Sequence, residues 1–196
     1  CEIPNPSCGQ TSWKASLMGP TLPKEAQDLV TNLDIGRAAL LQAISDEEAA
    51  VSKSSLDEYL DNLNLLLASL ECQTKVTTYR QLLFSWRGFL PTCANRTYEP
   101  QGEIIWEIIM VLWTKVSLSY RRGVKLLQGI SGAPPTGENI TAAAKAFATA
   151  AGVCQYLADD RLLRWLNASR RASSGIPEAS TGVANAFRQL CVACAS

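Results

Sequence analysis

The residues of this chain that could do chemistry fall into a few small groups. Cys191 and Cys194 form a Cys-x-x-Cys pair, the spacing of zinc ribbons and thiol oxidoreductases. A ribbon needs a second such pair, and Cys72 and Cys93 have none. A redox pair sits at a strand-to-helix junction, whereas the flanks here have helical spacing. Two structural thiols one turn apart on an apolar helix are therefore expected, with a thiol-dependent or metal-binding role for Cys191 and Cys194 as the alternative. Carboxylates gather as Asp46-Glu47-Glu48, Asp57-Glu58 and Asp159-Asp160. Ser45-Asp-Glu-Glu48 and Ser55-Leu-Asp-Glu58 read as capping boxes, which puts the first two groups in opening helical turns where the dipole favours negative charge. Asp159 and Asp160 are adjacent, so on a helix they project about 100° apart and cannot share a proton or a metal. The 196 residues contain no histidine, which removes Ser-His-Asp and Cys-His catalysis and two-His metal sites. The stretch GISGAPPTGENIT, from Gly129 on, places glycines before a helix as a phosphate loop does. It lacks the Lys-Ser/Thr that neutralises phosphate and holds magnesium, and is read as a linker. No catalytic, cofactor-binding or metal-ligating residue is assigned, and the chain is not expected to be an enzyme.

The remaining charge is distributed unevenly. The chain has 18 Lys/Arg and 18 Asp/Glu, but residues 1 to 100 carry 8 basic against 12 acidic side chains and residues 101 to 196 carry 10 against 6. Zero net charge excludes a globally basic nucleic-acid footprint. Arg121, Arg122, Lys125, Arg161, Arg164, Arg170 and Arg171 supply the positive half. They are either scattered helix-surface charge or a patch facing acidic lipid or an acidic partner. Seven cysteines at irregular spacing, in a chain 47% hydrophobic and long enough to build a core, point to reduced thiols in a cytoplasmic protein. The sequons at Asn95, Asn139 and Asn167 are discounted as chance triplets. The longest apolar run, Ile104 to Trp113, is interrupted by Glu107 and falls short of the roughly 20 residues of a membrane span. The chain starts without a Met and stops within an apolar stretch, and is read as a fragment.

The elements that must position these groups are mostly helical. Residues 1–18 hold several Pro and Gly and read as an irregular lead-in, with Trp13 to Met18 a candidate strand. Ala26 to Ile44 has helical spacing, as do Leu56, Tyr59, Leu60, Leu63, Leu66, Leu67 and Leu70. Val76 to Trp86 is rich in β-formers and predicts a short strand, and Pro91 to Gly102 a loop. Glu103 to Gln128 is a helix apolar nearly all round, which belongs at the centre of a domain. Asn139 is expected to cap a helix running at least to Leu166, with small residues along its stripe. A loop from Ala172 to Gly182 precedes a last helix near Val183. The prediction is an all-α fold with a small β element near its start.

Taken in order, these elements resemble the amino-terminal half of the BRO-one domain of Alix, Brox and HD-PTP relatives. The resemblance rests on the Gly19-Pro20 lead-in, the segment Leu56 to Glu71, the Phe-x-Trp pair Phe84 and Trp86, and the apolar helix from Glu103. It rests most on Ala144, Lys145, Phe147, Ala150, Gly152 and Leu157, which fit the family's Ala-Lys-x-aromatic helix. It spans residues 19–196, and the lead-in before Trp13 and the Pro-rich Gly129 to Gly137 loop depart from it. The resemblance implies a curved, tetratricopeptide-like helical domain without catalytic activity. It further implies a scaffold recruited from the cytoplasm to endosomes, which binds a helix of the core ESCRT-III filament subunit in multivesicular-body sorting. By this alignment the partner-binding residues fall beyond Ser196, so none is assigned. The alternative from the residues alone is a helical adaptor with an unrelated protein partner.

Overall fold

The structure is a computed structural model that describes residues 5–6, 13, 24–45, 53–72, 83–88, 98, 101–128, 134–169 and 176–196. The fold is all-α with a minimal β element. In chain order it comprises β1 (Asn5–Pro6), α1 (Lys24–Ser45), α2 (Lys53–Cys72), β2 (Trp86–Arg87), α3 (Ile104–Gln128), α4 (Gly137–Tyr156), a π-helical segment (Leu157–Arg161), α5 (Leu162–Ser169), a 3-10 turn (Pro177–Ala179) and α6 (Thr181–Ala195). Among the described residues no helix is long and apolar enough to cross a membrane. The chain forms two compact units, the first from Asn5–Arg87 and Asn95–Val111, the second from Cys1–Pro4, Gly88–Ala94 and Leu112–Ser196. By sequence the first has 8 Lys/Arg and 13 Asp/Glu, a net −5, and the second 10 and 5, a net +5. The charge asymmetry of the sequence thus follows the structural division.

In the first unit, Val30, Leu33, Arg37 and Leu40 make one buried stripe on α1, and Leu56, Tyr59, Leu60, Leu63 and Leu66 make the stripe of α2. The two helices pack where Gly36 meets Tyr59, closely enough that a Cβ on Gly36 would lie 2.7 Å from the ring. Phe84 and Trp86 alternate with Ser85 and Arg87, so both large rings face the core and both are fully buried. Trp86 and Arg87 pair antiparallel with Pro6 and Asn5. On the other side Phe84 exchanges backbone hydrogen bonds with Gln101 (2.8 and 3.1 Å), and the Tyr98 N–H donates to the Trp86 carbonyl at 2.9 Å. The strand expected within Val76 to Trp86 is present at Trp86, with Phe84 in a bridge, and residues 76–82 lie outside the described residues. Trp13, the first residue of the candidate strand Trp13 to Met18, is helical and buried, its N–H donating to Asp34 at 2.8 Å; residues 14–18 lie outside the described residues, and the strand that pairs with β2 lies earlier in the chain. Every residue from Ile104 to Val111 is buried, the charged Glu107 among them.

In the second unit, Ala143, Ala146, Phe147, Ala150, Ala151 and Cys154 line the inner face of α4, and Ala184, Phe187 and Cys191 that of α6. The alanines let α6 approach α4 closely. Tyr120 joins the two, with its ring 5.5 Å from Phe147 and 5.7 Å from Phe187. Trp113 stands edge-on to Phe187 at 6.0 Å and donates its indole N–H to the Glu178 carbonyl at 2.8 Å. The helix expected to run at least to Leu166 continues to Ser169, passing through a π turn in which the Leu162 N–H bonds the Leu157 carbonyl.

Four boundaries differ from the sequence expectation. α2 begins at Lys53, so Ser55 lies inside it and Asp57 and Glu58 fall in its second turn, beyond the strongest reach of the dipole. Ser45 closes α1 rather than opening a helix, and residues 46–48 of that box lie outside the described residues. Thr136, not Asn139, caps α4: its backbone is extended, its Oγ1 accepts the Asn139 N–H at 3.2 Å and its carbonyl accepts the Ile140 N–H at 2.9 Å. The last helix starts at Thr181, within the stretch expected to be loop.

Candidate functional site

The first unit encloses a charge cluster that the sequence did not announce. Glu107, fully buried, accepts from three elements at once. Its Oε1 receives the Arg37 guanidinium in an ion pair and the Tyr59 hydroxyl at 3.0 Å, and its Oε2 receives the Trp86 indole N–H at 2.7 Å. The Arg37 guanidinium also lies 5.3 Å from the centre of the Phe84 ring, within cation–π range. Burial raises the Tyr59 hydroxyl well above its ordinary value, and the neighbouring carboxylate adds to this. Burial works against the charge on Arg37, but Glu107 and then Tyr59 outweigh it and the guanidinium is held more firmly protonated. Neither group can therefore serve as a base near neutral pH. The cluster joins α1, α2, β2 and α3, and satisfies a buried carboxylate with charge and hydrogen bonds together, the condition under which such a group is tolerated. Two signals for it existed in the sequence: Arg37 on an otherwise apolar stripe, and Glu107 inside the run Ile104 to Trp113.

In the second unit Cys191 is buried and Cys194 half-buried on α6, and Cys154 of α4 is a third, buried free thiol. Burial, with a smaller push from Cys191, raises Cys154 to about 12. Burial and then Cys194 raise Cys191 to about 11. Tyr120 is raised by burial and then by Cys194 and Cys191, which places its hydroxyl in the same neighbourhood. Thiols held protonated are weak nucleophiles and weak ligands. Among the described residues no group of three His, Cys, Asp or Glu could hold a metal ion.

The remaining candidates separate. Asp57 is half-buried and Glu58 exposed on α2. Asp160 receives Arg164 at 2.7 Å and Arg161 at 3.2 Å, while Asp159 is exposed. Arg161 also donates to the Tyr156 hydroxyl at 2.6 Å and lies 5.1 Å from its ring centre. These two arginines are thus engaged within their own helix. Arg122 and Lys125 are exposed three residues apart on α3, Arg121 is half-buried, and Arg170 and Arg171 lie outside the described residues. Of the Gly129 to Gly137 loop, residues 134–136 lead into the Thr136 cap, and 129–133 lie outside the described residues.

A surface feature that sequence reading missed lies between α4 and α6. It is an open groove of about 410 Å³ with Ala148, Ala151 and Gly152 on one side, Arg188, Val192 and Ala195 on the other, and Gln155 and Ser196 at its margin. Of the helix motif, Phe147, Ala150 and Leu157 are buried, Ala144 is half-buried, Lys145 is exposed, and Gly152 opens on this groove. A scan of protein-family models and a search of curated proteins found no match to this chain.

Proposed function

We propose that the chain is a non-catalytic helical scaffold of the BRO-one kind, which binds a helix of the core ESCRT-III filament subunit and acts from the cytoplasm at endosomes in multivesicular-body sorting. The observation that carries the reading is the use of the resembling motifs as packing units. Phe84 and Trp86 face one core from a strand between two partners, Phe147 and Ala150 lie on the inner face of α4, and Leu157 is buried in the π-helical segment that continues it. The ionisable side chains that are buried are tied into structural contacts, as suits an adaptor rather than an enzyme. Helical partners are held by apolar grooves and faces of helical domains. By the resemblance, the filament-binding residues follow the helix that begins near Val183. The net +5 of the second unit adds a peripheral contact with acidic membrane to the reading. The test is localisation of the full-length protein in cells with and without the core ESCRT-III subunit. Punctate endosomal signal that disperses when the subunit is removed is the expected result. A diffuse signal in both would contradict the proposal.

A further inference from the structure

We draw no further inference here: the strongest candidate, the thiol cluster of Cys154 on α4 with Cys191 and Cys194 on α6, belongs to the site already described and keeps Cys154 and Cys191 buried and protonated, so nothing in the structure points to a ligand or an oxidant for it.

Discussion

Replacing Arg37 by Met should destabilise the first unit by about 3–5 kcal/mol, the cost of leaving a buried carboxylate without its charge partner. The size follows from the contacts. Glu107 has no exposed surface, and without Arg37 its two oxygens retain only the neutral donors Tyr59 at 3.0 Å and Trp86 at 2.7 Å. Met preserves most of the buried stem, so the loss reports charge rather than volume. Glu107→Gln alone leaves Arg37 buried and unpaired, with a cost of similar size. The double variant Arg37→Met/Glu107→Gln removes both charges and keeps an amide oxygen for one of the two donors, Tyr59 or Trp86, so its cost should fall about 2–3 kcal/mol short of the sum of the singles. Urea unfolding followed by tryptophan fluorescence, with Trp86 beside the cluster, measures all four corners of the cycle. A single-variant loss below about 1 kcal/mol, or strict additivity, would refute the view that these groups form one coupled unit.

Trp86→Ala removes a fully buried indole as well as a donor to Glu107, and should cost about 3–5 kcal/mol in the same assay. An unchanged melting temperature would show the strand to be misplaced. Two glycine substitutions should have opposite signs: Gly123→Ala puts a Cβ 2.7 Å from the Phe147 ring and should cost about 1–3 kcal/mol, whereas Gly152→Ala, with open space, should gain up to about 1 kcal/mol. Thermal melts of both decide it, and destabilisation by both would contradict the packing described. The thiols make a pH prediction. Cys154 and Cys191 keep their protons in the folded state to about 12 and about 11, while the unfolded chain releases them near the ordinary value of about 9. Their contribution to stability is complete below about pH 9 and is lost as pH rises toward those folded values, because the unfolded state then binds fewer protons. Urea midpoints measured from pH 8 to 10.5 should therefore fall, and fall less in Cys154→Ala. A pH-independent difference between the two proteins would contradict it.

The helices were legible because their apolar residues recur at the helical period: Val30, Leu33 and Leu40, or Leu56, Tyr59, Leu63 and Leu66, are buried as that spacing requires. Their ends were less legible. Thr136 and Asn139 both have capping side chains, as do the serines around Lys53, and only the extended backbone at Thr136 decides which one accepts the N–H. The partner of β2 was missed because Asn5-Pro6 carries no β-propensity. What selects it is the exposed edge of the Phe84 to Arg87 segment, not its own residues. The Glu107 cluster lay beyond sequence reading for a different reason: its donors come from 70, 48 and 21 residues away, and no local pattern specifies such a meeting. Arg37 and Glu107 were visible as charges in apolar surroundings, which signals that a partner exists but not which one. The α4/α6 groove follows from small residues on two separate helices and needed their packing to appear.

The adaptor reading is tested most directly by isothermal titration of the full-length protein against the carboxy-terminal helix of the core ESCRT-III subunit. The account predicts saturable binding with a Kd of about 1–100 μM and none to a scrambled helix. Heats no larger than dilution up to about 1 mM helix, from protein that melts cooperatively, would contradict it.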